Sequence, residues 1–166
     1  MHVKRIPTMS NKTRYAAARR EFAGLMARVF RALSFEPGQA PAYDDLYAVF
    51  IDRGLLIKNS GAAPEVMDIR DFVEPRRARV RSGQTARFRE VELFETTEVF
   101  GNVAQRFSAY EKSGLSNGRP FAARGVISTQ FVHTPAGWRI SAMAWDDERA
   151  GLSISERYEP TEFGSV

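Results

Sequence analysis

The sequence predicts an α+β domain with helices gathered on one face of an antiparallel sheet. Two observations carry that expectation. As far as Gly83 the apolar residues recur at helical spacing, and from residue 86 they alternate in long runs separated by turn residues. A run of helices followed by a run of strands is the α+β order. Size agrees: 166 residues, 43% hydrophobic and 27% charged, hold one core and exclude a disordered chain.

Residues 1–12 form a basic leader, in which Met9 is a second possible start, and the domain is expected over 13–148. The spacing predicts a long helix over 13–34, with Tyr15, Phe22, Leu25, Met26, Val29, Phe30 and Leu33 on one face. Pro37, Gly38 and Pro41 end it. Asp44 or Asp45 caps a short second helix with Leu46, Tyr47, Phe50 and Ile51 inside, and Gly54 follows its end. Leu55–Ile57 is a first strand, and 59–64 is a turn. Asp68 caps a third helix, with Ile69, Phe72, Val73, Arg76 and Val80 on its inner side. Pro75 predicts a kink or an early end.

Four long strands follow. Residues 87–100 and 103–112 flank a hairpin at Phe100-Gly101-Asn102. A polar turn is expected over 113–120, a strand over 121–133, a tight turn at Thr134–Gly137 and a last strand over 138–146. Residues 149–166 show no period and read as a C-terminal tail.

The net charge of +4 is uneven. Residues 1–31 and 70–89 carry +7 and +5, and the remainder is acidic. Arginines 76, 77, 79, 81, 87 and 89 offer a nucleic-acid reading, but solvated helix faces explain them and no recognition motif accompanies them. With no cysteine, the chain has neither a disulfide framework nor a cysteine nucleophile. Two histidines are too few for a histidine metal cage. The acids Asp146-Asp147-Glu148 cannot all face one ion on an extended chain, so no metal is expected. No phosphate-binding glycine loop is present and no cofactor is expected. No apolar run suits a secretory signal or a membrane span, and the expected location is cytoplasmic.

Three segments together resemble the nuclear transport factor 2-like superfamily, which includes the polyketide-cyclase (SnoaL-like) and ketosteroid-isomerase-like domains. They are DDLYAVFIDRGLLI, VFGNVAQRFSAYE and RGVISTQFVHTPAGWRISAMAWDDE. The resemblance spans residues 13–148 and rests on the order and spacing of elements. It implies a cone: a curved antiparallel sheet wrapped around three N-terminal helices, with a pocket between the concave face and the helices. It also implies frequent dimers, and functions ranging from isomerases, dehydratases and cyclases to scaffolds, so fold alone does not deliver function.

Strand parity then places residues on that cone. The more apolar set, Phe107, Ala109, Ile127, Phe131, Ile140, Ala142 and Ala144, is assigned to the concave face with Tyr47, Phe50 and Phe72 from the helices. Arg76, Glu92 and Thr129 add polar groups, so the expected ligand-binding set is Tyr47, Phe50, Phe72, Arg76, Glu92, Phe107, Ile127, Thr129, Phe131 and Ala142. Each aromatic has plain core packing as its alternative. Arg76 facing Glu92 or Glu111 reads first as a structural ion pair. The opposite face, with Arg106, Tyr110, Arg124, Gln130 and Trp145, is the expected homodimer surface.

Acid–base chemistry requires a titratable group in a dry pocket. Where isomerase-like relatives carry acids, this sequence has Lys58-Asn59-Ser60 and Ser128-Thr129-Gln130. The two histidines, His2 and His133, lie in the leader and at a strand end. Glu111 and Asp146 are the remaining catalytic candidates. The sequence thus reads as a binding domain for a small apolar ligand. A non-catalytic dimerisation or assembly module, and an isomerase-, dehydratase- or cyclase-type enzyme, are its alternatives.

Overall fold

The computed structural model describes residues 11–158, with side chains from residue 14. The expected leader falls almost wholly outside the described residues. Helix α1 (Asn11–Leu33) leads into α2 (Asp45–Val49), strand β1 (Phe50–Lys58), a short β2 (Glu65–Met67) and helix α3 (Ile69–Arg81). Four long strands follow: β3 (Thr85–Phe100), β4 (Val103–Ser116), β5 (Arg119–Thr134) and β6 (Gly137–Asp147). They form one curved, unclosed six-stranded sheet in the order β2-β1-β6-β5-β4-β3, with β1 parallel to β6 and every other pair antiparallel. Among the described residues no helix is long and apolar enough to cross a membrane.

Helix α1 buries the stripe its spacing foretold. Phe22, Met26 and Val29 are at most 1% exposed, and Phe22 stacks at 4.5 Å on Phe131 and edge-on at 4.9 Å to Trp138. Tyr15, at the start of that stripe, is exposed. The Asp68 carboxylate caps α3 by accepting from the Asp71 N–H at 2.8 Å. Pro75 neither ends that helix nor shortens it, and α3 continues to Arg81.

Three local expectations are corrected. Helix α2 ends at Val49, so Phe50 and Ile51 open β1 and Gly54 lies inside that strand. The parallel pairing of Phe50 with Ile140 draws Phe50 out of the helix. The turn expected over 113–120 shrinks to Asn117-Gly118, both in the left-handed region at φ 52° and 70°, as a two-residue hairpin requires. The tail is not formless up to Tyr158. Arg149 bridges Leu152, and a 3-10 turn at Glu156–Tyr158 lays Tyr158 against Phe94 and Phe107 on the outer sheet face.

Irregularities in the ladders decide which side chains face the helices. Pairing shifts between Glu92 and Phe94 on β3 and between Gln130 and Phe131 opposite β6. Beyond the β6 bulge Met143, Trp145 and Asp147 face inward while Ala142 and Ala144 face outward, the reverse of uninterrupted alternation. Strand β4 is inverted throughout: Ala104, Arg106, Ser108 and Tyr110 are buried on the inner face. Phe107 lies on the outer one, where Tyr158 covers it. Strand β5 keeps the expected parity, with Ile127, Thr129 and Phe131 inside.

Candidate functional site

A cavity of about 490 Å³ lies between the inner sheet face and the three helices. Its apolar wall is Val29 and Leu33 of α1, Leu46 of α2, Leu56 of β1, Phe72 and Pro75 of α3, and Phe88, Phe121, Ile127, Met143 and Trp145 of the long strands. Trp145 closes edge-on against Phe72 at 6.1 Å. The exposed side chains of Glu65, Asp71 and Arg79 mark the mouth.

Glu90, Lys112, Arg76 and Tyr43 are among the polar groups that line this cavity, and Tyr110 and Asp147 lie behind Lys112. Lys112 on β4 holds both carboxylate oxygens of Asp147, at 2.7 and 2.9 Å, and the Tyr110 hydroxyl donates to the same carboxylate. Gly125 makes that contact possible, because a Cβ there would collide with the Tyr110 ring and the Asp146 carbonyl. Burial, then the bond to Asp147, pushes the Tyr110 hydroxyl well above its usual range. Beside this triad Glu90 of β3 faces the cavity. Its carboxylate accepts no hydrogen bond from the described residues, although Ser34 Oγ fixes its backbone by accepting from the Glu90 N–H at 3.1 Å. Burial raises it to about 7, with Lys112 opposing, Asp147 reinforcing and Arg76 opposing.

Arg76 of α3 enters from the other side. Its guanidinium stacks 3.5 Å above the Phe72 ring and donates one N–H to the Phe72 carbonyl at 2.8 Å. It forms no salt bridge with any described carboxylate, and desolvation lowers it to about 10, so it stays charged at neutral pH. Burial also raises the Tyr43 phenol, which lines the cavity near the same guanidinium.

A second polar cluster occupies the inner face farther along β3. Arg106, 4% exposed, donates to both oxygens of Glu92 at 2.9 and 2.5 Å and pairs with Glu95 at 3.2 Å. Ser108 Oγ adds a bond to Glu92 at 2.5 Å, and Arg19 of α1 reaches Glu95 at 3.6 Å. This cluster is internally paired and lines no part of the cavity. Next to it Thr129 Oγ1 is buried without a partner among the described residues.

Solved structures that resemble this chain share the architecture. The Kfla4162 protein of Kribbella flavida superposes with a TM-score of 0.69 at 16% identity, covering 81% of this chain and 93% of its own. A nuclear transport factor 2-like superfamily protein of Salmonella enterica gives 0.63 at 14% identity, over 81% and 94%. A nuclear transport factor 2-like protein with a cystatin-like fold from Novosphingobium aromaticivorans gives 0.59 at 19%, over 89% and 90%. This chain has the nuclear transport factor 2-like fold. No family model and no curated protein matches its sequence.

Within that fold the expected site residues separate. Phe72, Arg76 and Ile127 line the cavity. Phe50 and Phe131 are buried in the core instead, and Thr129 lies beneath the Arg106 cluster. Tyr47 is 48% exposed on the far side of α2, because Leu46 and Val49 take the two inward positions of that single turn. Glu92 faces inward but belongs to Arg106, not Arg76. Phe107 and Ala142 face outward, for the register reasons above.

Neither catalytic candidate reaches the cavity. Glu111 is exposed on the outer face of β4. Asp146 is held by Arg149 at 2.6 Å, and that bond keeps its carboxyl below the usual range. The three consecutive acids diverge: Asp146 to Arg149, Asp147 to Lys112, and Glu148 to the Ile154 N–H at 2.8 Å. Of the expected dimer surface, Arg106, Tyr110 and Trp145 face inward, leaving Arg124 and Gln130 outside. The six arginines of the nucleic-acid reading do not form one face. Arg76 points into the cavity, and Arg77 pairs with Asp44 at 2.7 Å and Glu74 at 3.5 Å.

Sequence reasoning passed over Glu90, Tyr110, Lys112 and Asp147 as members of one site. Parity held a partial signal, since Glu90 shares its face with Glu92. Only the pairing of Tyr110 with Gly125, and of Gly125 with Asp147, brings the last two strands of the site together.

Proposed function

We propose that this domain binds a small molecule of largely apolar surface in the cavity between the inner sheet face and the helices. The observation that carries it is the cavity itself. Its volume falls in the range of ligand pockets, its wall is mainly apolar and aromatic, and a few titratable groups converge on it. The neutral fluorophore N-phenyl-1-naphthylamine tests it. Its emission is expected to rise and saturate with the wild-type chain, and Leu33→Trp, which fills the cavity from α1, should weaken binding about tenfold or more. No saturable rise, or one that Leu33→Trp leaves unchanged, would overturn the proposal.

A proton-transfer enzyme is the second reading, favoured by Glu90. A carboxyl near neutrality, facing an apolar cavity with no hydrogen bond from the described residues, is equipped to take a proton from a bound carbon acid and return it elsewhere. On this reading Glu90 replaces Glu111 and Asp146 as the acid–base group, and Tyr43, which lines the same cavity, offers a hydroxyl to an oxygen of the substrate. Solvent-deuterium exchange at the α-carbon of 2-tetralone, followed by NMR, should be accelerated by the wild type and not by Glu90→Gln. Equal rates would remove this reading and leave the binding one intact.

The assembly reading has less support, because Tyr158 already occupies Phe94 and Phe107 on the outer face. A homodimer through that face would use Gln130 and Arg124 from the expected set. Sedimentation of the wild type against Gln130→Glu tests it: a dimer that the added charge dissociates supports this interface.

A further inference from the structure

We infer that the cavity's ligand is a monoanion, a small carboxylate with an apolar body, and that Arg76 is the residue that selects it. This rests on the binding proposal above and names its ligand class. The cations around the cavity are not all engaged alike, and Glu90 attracts Arg76 across the cavity without bonding it. Lys58 is bonded to Glu65 at 3.1 Å, and Lys112 is bonded twice to Asp147. Asp71 lies in the first turn of α3, where the helix dipole favours a negative charge. Arg79 is exposed at the mouth. Among the described residues Arg76 and Arg79 have no ion pair, and of the two only Arg76 is drawn out of solvent into the cavity.

The setting of Arg76 favours a ligand over solvent. Stacking on Phe72 and the bond to the Phe72 carbonyl hold the guanidinium against the cavity wall. The carbonyl engages one of its five N–H donors, and no other bond from Arg76 occurs among the described residues. A half-buried guanidinium with a free planar edge matches the two oxygens of a carboxylate, and pairing would offset its desolvation. One cation balances one negative charge. A phosphate dianion would leave a second charge uncompensated in an apolar chamber that already contains Glu90. The apolar wall formed by Leu56, Phe72, Ile127, Met143 and Trp145 takes the body of the ligand.

A matched pair of probes tests this: 2-naphthoate and 2-naphthamide, which share the ring system and differ in charge, titrated by calorimetry into the wild type and Arg76→Gln. The wild type is expected to bind 2-naphthoate about tenfold more tightly than the amide, the worth of one charge-assisted bidentate pair. Arg76→Gln should bring the two to within about twofold of each other while N-phenyl-1-naphthylamine still binds. Equal affinities in the wild type would overturn the assignment without any variant. A preference that survives Arg76→Gln would overturn the role of Arg76. If the fluorophore binds and the charge preference is absent, the cavity proposal stands and this one falls. If neither the fluorophore nor either naphthalene binds, both fall.

Discussion

Glu90 and Glu92 sit two residues apart on β3 and face the same way, yet they belong to two different kinds of place. Glu92 is closed in. Arg106, itself bonded to Glu95, reaches both of its oxygens, Ser108 adds another bond, and Arg19 of α1 reaches the neighbouring Glu95. Glu90 is open. No described side chain bonds its carboxylate, which faces the cavity, and the nearest cations are committed to Asp147 or held across the cavity. A buried charge in the first setting is part of the fold. In the second it faces the cavity with no bond from the described residues. The contrast comes from the covering elements, because the strand treats both residues alike.

Removing the cation from the closed cluster should have the largest effect. Arg106→Leu leaves Glu92 without a cation and Glu95 with only the longer contact to Arg19, and is expected to cost about 3–5 kcal/mol in urea unfolding. A loss below about 1 kcal/mol would show that the two settings do not differ.

Glu90→Gln should act in the opposite direction. An unfolded glutamate ionises near 4.5 and Glu90 in the fold near 7, so between those values the native state keeps a proton that the unfolded chain has released. The stability contributed by Glu90 is therefore fully present below 4.5 and declines as pH rises through 7. Glu90→Gln should raise stability at pH 8 by about 1–3 kcal/mol, leave it nearly unchanged at pH 4, and flatten the profile between. Unchanged pH dependence would assign the effect to another group.

Arg76→Met sharpens the comparison further. It keeps the apolar stem and removes an unpaired charge, so denaturant unfolding should show a change within about 1 kcal/mol, unlike the loss at Arg106. The smallest effect is expected at Tyr158→Ala, which uncovers Phe94 and Phe107 and should cost about 0.5–1 kcal/mol in thermal unfolding.

Some of the site was legible residue by residue. Phe72 and Arg76 lie on the inner side of a helix whose cap, Asp68, is written in the sequence, and Ile127 lies on a strand whose parity is unbroken. Residues whose facing depends on partners were not legible. Polarity alone sends Arg106 outward and Phe107 inward. The fold reverses both, because Glu92 and Glu95 on the neighbouring strand neutralise Arg106 while Tyr158 on the tail covers Phe107. One extra residue near Ser141 turned Ala142 and Ala144 out and Trp145 in.

Local signals in the chain did not set the short β2 or the parallel pairing of β1 with β6, but they settled the order of the helices and of the four long strands, the α+β class, the stripe on α1, the cap at Asp68 and the positions of most turns. These follow from spacing, capping chemistry and backbone allowance over a few neighbouring residues. The cavity, the neutral-range acidity of Glu90 and the unpaired charge of Arg76 belong to the tertiary structure alone. Each depends on which distant groups come near and on how much water they exclude. Glu90 and Asp147 are far apart in the chain and become neighbours only when β3, β4, β5 and β6 pair in register.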